Sequence, residues 1–130
     1  MRRVTQGNAK PTEFELELLR HLWTSEGATV RELHEILSRT RTIGYTTILK
    51  TLQIMTEKGL VLRKEVGKAH FYRASRSERQ TQKQFVVDLS ERLFSGSAGQ
   101  LVLHALATQS VKADELKLIR ELIEQKERGQ

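Results

Sequence analysis

The sequence contains no cysteine and a single proline among its 130 residues. Without cysteine there can be no disulfide, no thiolate metal ligand and no cysteine nucleophile. No apolar run approaches the roughly 20 residues that a membrane helix needs. Residues 1–10 also lack the apolar stretch of a signal peptide. We therefore expect a cytoplasmic protein that does not insert into a membrane.

Patterns that carry catalysis or metal binding are missing as well. The sequence has neither a glycine-rich phosphate loop nor a GxSxG motif. Its four histidines lie far apart, at His21, His34, His70 and His104. None belongs to an HExxH pattern, so we expect no metal site. Acidic residues such as Glu13, Glu15 and Glu17 are interpreted as exposed charges on a helix. The sequence therefore predicts neither an enzyme nor a bound cofactor.

Positive charge is present in excess, and it is unevenly distributed. The formal net charge is +6, of which residues 1–75 carry +5 and residues 76–130 carry +1. A basic surface favours a polyanionic partner such as DNA. The split also indicates two halves with different roles.

Residues 11–75 are predicted to form three helices and a hairpin, after a flexible basic arm at residues 1–10. Thr12 with Glu15, and Thr29 with Glu32, fit the capping-box pattern at the starts of the first two helices. A third helix is expected over residues 45–58, with Gly59 ending it. Two strands should follow, over residues 60–66 and 69–74, joined by a two-residue turn. Helices two and three then form a helix-turn-helix, and the hairpin is its wing.

Residues 76–130 are predicted to be entirely helical, with breaks near residues 95–99 and 110–113. Ser75 with Glu78 fits a further capping box at the first of these helices. About 55 residues are too few to bury several apolar stripes alone, so we expect a helical dimerisation domain with two-fold symmetry. The predicted dimerisation residues are Phe85, Leu89, Leu93, Leu101, Val102, Leu106, Leu116, Ile119, Leu122 and Ile123. The expected fold class is mainly α with a small β wing.

The third helix has an outer face typical of a recognition helix. Short hydrogen-bonding side chains let a backbone approach base edges, and threonine offers a methyl group to thymine. Lys50 can reach a guanine edge or a phosphate, and the helix N-terminus favours an anion. The expected DNA-binding residues are Arg39, Arg41, Tyr45, Thr46, Thr47, Lys50, Thr51, Arg63 and Lys68. The alternative is that this face is only solvated and that the wing charges only protect an edge strand.

Several segments together resemble the penicillinase-repressor family (BlaI/MecI/CopY type). They are Leu19-(x2)-Leu22-Trp23, Thr29-Val30-Arg31-Glu32-Leu33, Gly44-Tyr45-Thr46-Thr47-Ile48, Glu57-Lys58-Gly59-Leu60, Phe71-Tyr72-Arg73-Ala74 and Gly96-(x2)-Gly99-(x)-Leu101-Val102. The resemblance covers about residues 11–128. It implies a homodimeric repressor whose winged-helix domain binds a palindromic operator and whose helical part dimerises.

The same resemblance implies ways in which a repressor is released. Some members are cut at an Asn–Phe bond, downstream of a membrane sensor metallopeptidase. The matching positions in this chain are His104 and Ala105, which depart from that pattern. Copper-responsive members carry a C-terminal cysteine cluster, which this chain lacks. Two other interpretations stay open: a winged helix that senses a small molecule directly, and a winged helix that binds protein.

Overall fold

The structure is a computed structural model that describes residues 10–129. Residues 1–9, nearly all of the predicted arm, lie outside the described residues. The elements are α1 (Glu13–Ser25), β1 (Ala28–Thr29), α2 (Val30–Leu37), α3 (Tyr45–Lys58), β2 (Val61–Val66), β3 (Ala69–Ala74), α4 (Glu78–Leu93), α5 (Ala98–Thr108) and α6 (Ala113–Glu127). This architecture confirms the expected fold class, which is mainly α with a small β wing.

Capping boxes begin the first two helices, as predicted. The Thr12 hydroxyl accepts from the Glu15 amide at 3.2 Å, and the Thr12 amide donates to Glu15 Oε1 at 2.9 Å. Thr29 and Glu32 make the same reciprocal pair at 3.2 and 2.9 Å. Each box satisfies amides that have no partner within the helix, so these short motifs set where α1 and α2 begin.

A three-stranded antiparallel sheet closes one side of the helices, in the order β1-β3-β2. In the β2–β3 hairpin Val66 pairs with Ala69, which leaves the predicted two-residue turn at Gly67 and Lys68. The third strand, β1, has only two residues and pairs with β3. It was not predicted, because two residues carry no periodicity.

Tyr72 anchors the sheet in the core, with no exposed surface. On the opposite side of β3, Phe71 lies against Gly27. A Cβ at Gly27 would stand 2.4 Å from two ring atoms of Phe71, and the backbone there has φ +119°. Only glycine has no Cβ to clash with the ring and adopts this positive φ without strain, so Gly27 lets the chain turn from α1 into β1 beneath that ring.

The core consists of Leu18, Leu19, Leu22, Ala28, Val30, Leu33, Leu37, Ile48, Leu52, Met55, Val61 and Tyr72.

The predicted cap at the start of α4 is wrong. The Ser75 hydroxyl donates instead to the Gly59 carbonyl at 2.6 Å, which ties the end of the hairpin to the end of α3. Ser77 and Gln80 form the reciprocal cap, with distances of 3.0 and 2.9 Å. Both pairs fit the same sequence pattern, and the tertiary bond of Ser75 decides between them.

One of the acidic residues interpreted as exposed is buried. Glu15 retains only 4% of its accessible surface, and Lys58 Nζ lies 2.8 Å from its Oε1. Glu17 is also engaged, because it accepts from Arg41 at 2.9 Å. The interpretation of these residues as exposed helix charges is therefore wrong for Glu15.

Contacts divide the chain into two compact units, one ending at Phe85 and one beginning at Val86. The hydrophobic core given above lies entirely in the first unit. Among the described residues from 86 onward, only Ser90 is buried. Within residues 10–129, none of the helices has the length and apolar character to cross a membrane.

Candidate nucleic-acid interface

Helix α3 has a buried face and an exposed face. Ile48, Leu52 and Met55 point into the core and have no exposed surface. On the other side, Thr46, Thr47 and Lys50 are exposed. The first turn contains no acidic residue, and the first carboxylate along α3 is that of Glu57. The N-terminal half of this helix therefore presents hydroxyl groups, one cation and no negative charge to solvent.

The start of α3 is held by a histidine on α2. The Nε2 of His34 lies 2.9 Å from the carbonyl oxygen of Ile43, and a carbonyl only accepts, so the ring nitrogen donates. The ring of Tyr45 stands edge-on to His34, with 5.9 Å between centroids. His34 thus fixes the turn that leads into α3. Sequence reasoning assigned it no such role, because the bond depends on how the turn folds back.

Thr51 lies at the border of the exposed face. It is half-buried, and its hydroxyl donates to the Thr47 carbonyl at 2.8 Å. This bond within the helix takes up the hydroxyl hydrogen and leaves the oxygen lone pairs. Thr51 is therefore less available to a partner than Thr46 or Thr47.

The two arginines between α2 and α3 are in different environments. Arg39 is exposed in the turn. Arg41 pairs with Glu17 of α1 at 2.9 Å, and its guanidinium lies 5.4 Å from the centre of the Phe14 ring. Arg41 therefore fastens the turn to α1, and a phosphate would have to compete with Glu17 for it.

The wing extends the basic surface beyond α3. Arg63, Lys64, Lys68 and Arg73 are all exposed, and Lys68 lies in the turn at the tip. Opposite residues in the register share a face of the hairpin. Arg63 faces Tyr72 across the strands and so lies on the core side of the sheet, whereas Leu62 faces Arg73 on the outer side. The predicted wing contacts Arg63 and Lys68 thus occupy one face and the tip.

Most of the predicted dimerisation residues in the second unit are exposed in the single chain. Leu89, Leu93, Val102, Leu106, Leu122 and Ile123 are exposed, while Leu101, Leu116 and Ile119 are half-buried. Phe85 is half-buried in the first unit, where Lys10 Nζ lies 5.6 Å from its ring centre. Four further apolar side chains of the second unit are exposed and were not among the predicted dimerisation residues: Val86, Val87, Leu103 and Leu118. The unbroken apolar run of residues 101–103 was a signal for Leu103, since a helix that is apolar all round must be buried against another surface.

The bond between His104 and Ala105 lies inside α5. Both residues are exposed, and the His104 ring stands 5.3 Å from the ring of Phe94. The His104 carbonyl also accepts from the Thr108 hydroxyl at 2.7 Å. A protease would have to unfold this part of the helix before cutting it. Among residues 10–129, no three His, Asp or Glu side chains gather as a metal site requires.

Helices α2 and α3 form a helix-turn-helix, and α3 presents an exposed face without acidic residues beside a basic wing. This combination defines a winged-helix DNA-binding regulator. The family model described as Penicillinase repressor matches residues 11–125. The chain is also 33% identical over 119 residues to the "Transcriptional regulator BlaI" of Mycobacterium tuberculosis, covering 90% of this chain and 85% of that protein. The match is the same for strains CDC 1551 / Oshkosh and ATCC 25618 / H37Rv.

The chain therefore belongs to the penicillinase repressor family, and the resemblance found in the sequence is confirmed. This is a family of transcriptional regulators rather than of enzymes. Its members act as repressors, which agrees with the DNA-binding winged helix described above.

Proposed function

We propose that this protein is a homodimeric transcriptional repressor that recognises a palindromic operator in double-stranded DNA. The observation that carries the proposal is the exposed N-terminal half of α3, which presents Thr46, Thr47 and Lys50 and contains no acidic residue. In a two-fold dimer, two such helices would enter successive major grooves about 34 Å apart. Occupying a promoter in this way would block transcription.

Affinity and specificity would come from different residues. Arg39, Arg63 and Lys68 are exposed cations that would contact phosphates, giving an affinity that falls steeply with salt. Thr46, Thr47 and Lys50 would read base edges, at about 1–3 kcal/mol for each well-made contact. The helix N-terminus at Tyr45 would add its dipole to a nearby phosphate.

The proposed dimer rests on the lack of a core in the second unit. Neither α5 nor α6 has a buried residue, and Leu103 and Leu118 are 60% and 64% exposed. A second copy of the chain would bury these faces symmetrically. Linking two recognition helices would raise affinity by more than about two orders of magnitude.

Release would follow from disruption or cleavage of this helical part. A membrane sensor metallopeptidase is the partner that the family pattern suggests, although His104 and Ala105 replace its Asn–Phe pair. Any event that separates the two chains would remove the bivalent advantage, so the proposal does not depend on proteolysis.

Selection of bound sequences from random duplex DNA at two salt concentrations tests this function. We expect enrichment of a palindrome with half-sites about one helical turn apart. Sedimentation of the free protein should show a dimer. Weak, salt-sensitive binding without an enriched sequence would contradict the proposal and favour a winged helix that binds protein. A thermal-shift screen would reveal direct sensing of a small molecule.

A further inference from the structure

Exposed large apolar side chains are not scattered over the first unit. Among residues 10–85 there are four: Tyr45 and Ile54 on α3, and Leu62 and Val66 on β2. Both elements belong to the candidate DNA interface. Single exposed apolar residues are ordinary on protein surfaces, but here all four lie on the two elements that would meet DNA.

Ile54 stands apart from the other aliphatic residues of α3. Ile48 and Leu52 are fully buried, and Leu49 packs against the edge of the core. Ile54 keeps 44% of its surface exposed and is not among the residues packed on the core. The fold of the single chain therefore does not account for an isoleucine at this position.

The position of Ile54 on the helix aligns it with the proposed base-reading residues. At about 100° per residue, Ile54 lies roughly 20° around the helix from Thr47 and 40° from Lys50. At about 1.5 Å per residue, it lies roughly 10 Å beyond Thr47 along the axis. Between Tyr45 and Ile54 there is no acidic residue. Thr47, Lys50 and Ile54 thus form one strip, which ends in an apolar side chain.

We propose that Ile54 is a specificity-determining residue that reads thymine by packing against its 5-methyl group. The inference rests on the proposed function, namely that the outer face of α3 enters the major groove. The thymine methyl is the apolar group that base pairs offer in that groove, and an aliphatic side chain makes no hydrogen bond to the other bases. Burial of one methyl group corresponds to about a fourfold change in the binding constant.

A double-mutant cycle between protein and DNA tests this assignment. On the operator duplex obtained by selection, each thymine is replaced singly by deoxyuridine, which removes only the methyl group. At one thymine in each half-site, wild-type protein should lose about fourfold in affinity per half-site. Ile54→Ala should bind more weakly overall and show no further loss at that thymine. Ile54→Val, which keeps most of the aliphatic surface, should restore most of the sensitivity.

Leu62→Ala is the matched control, because Leu62 is 46% exposed but lies on the wing. It should leave the deoxyuridine effect at that thymine unchanged. If the effects of Ile54→Ala and deoxyuridine on the binding free energy are additive at every thymine, the assignment of Ile54 is overturned. The selected operator would still support the proposed function. If Ile54→Ala instead separates the dimer in sedimentation, Ile54 belongs to a contact between chains and the assignment is likewise overturned.

Two further outcomes complete the test. If selection yields no operator, the proposed function fails and this inference fails with it. If Ile54→Ala does not fold, as judged by circular dichroism, Ile54→Val takes its place in the cycle. A smaller coupling of the same sign at one thymine would then support the assignment, and additivity would overturn it.

Discussion

Lys58, in the last turn of α3, places its Nζ 2.8 and 3.1 Å from the two carboxylate oxygens of Glu15, which is 43 residues earlier in the chain. The same carboxylate accepts from the Thr12 amide at 2.9 Å. One buried acidic side chain therefore caps α1 and ties the C-terminal end of α3 to it. His34 holds the near end through Ile43, so α3 is secured at both ends.

Removing the cation of this pair should destabilise the protein. Lys58→Met leaves Glu15 buried with a single amide donor, and we expect a loss of about 2 kcal/mol in the free energy of unfolding. Urea unfolding at fixed chain concentration measures it. The double variant Lys58→Met with Glu15→Gln should lose less free energy of unfolding than the sum of the two single variants, because the charges act as a pair. Strict additivity would show that the ion pair contributes nothing.

Gly27→Ala should be one of the more damaging small substitutions in the chain. Its Cβ would overlap two atoms of the Phe71 ring at 2.4 Å, in a backbone with φ +119°. We expect a loss of about 2–4 kcal/mol. Gly67→Ala is the control, because φ there is +63° and nothing lies within 4 Å of the added atom. It should cost about 1 kcal/mol. Equal losses would mean that the contact with Phe71 is not what requires glycine.

Tyr72→Phe should leave the protein as stable as before, or more stable by up to about 1 kcal/mol. The phenol oxygen is buried and has no hydrogen-bond partner among the described residues. Deleting an unsatisfied polar group removes its desolvation cost. Tyr72→Ala, which empties the same space, should instead lose about 3–5 kcal/mol. A marked loss on Tyr72→Phe in urea unfolding would reveal a partner for the hydroxyl.

Lys50→Glu should abolish specific operator binding while leaving the dimer intact. It removes one base contact and places a carboxylate in a face that has none, so we expect affinity to fall roughly a hundredfold or more. Lys126→Glu makes the same charge change in the last turn of α6 and should reduce binding only slightly. Fluorescence anisotropy on the selected operator compares them. Normal binding by Lys50→Glu would refute the recognition face.

Leu122→Glu should separate the proposed dimer. Leu122 is 52% exposed in the single chain, and a charge at a position buried between two copies would be costly. Sedimentation should show monomers at concentrations where wild type is dimeric. Operator affinity should fall by about two orders of magnitude. Gln125→Glu, at an exposed polar position of the same helix, should change neither property. A dimeric Leu122→Glu would place the interface elsewhere.

Features set by neighbouring residues were largely predictable from the sequence. The caps at Thr12 and Thr29, the bounds of α3 and the turn at Gly67 depend on short-range hydrogen bonds and backbone preferences. The error at Ser75 shows the limit of such patterns. Ser75 and Ser77 both fit the capping pattern. Ser77 forms the cap because the Ser75 hydroxyl donates to the carbonyl of Gly59, at the end of α3.

Features that join distant segments were not predictable. The burial of Glu15 depends on Lys58, and the strand β1 exists only because β3 lies beside it. The same holds within the site. Sequence placed Arg41 at the interface, but its partner Glu17 on α1 became visible only in the fold. Composition and spacing suggest which residues meet DNA, while the packing decides which of them are already engaged.

No residue of α5 or α6 is buried in the single chain, so in the proposed dimer the stability of these helices would depend on how much of the protein is present. A helical region that gains its cover from another molecule melts at a temperature that rises with protein concentration. In a proposed repressor built this way, halving the amount of chain near the dissociation constant of the dimer would remove more than half of the operator-bound species. The response of the regulated promoter to dosage would then be steeper than proportional, with no small-molecule cooperativity required.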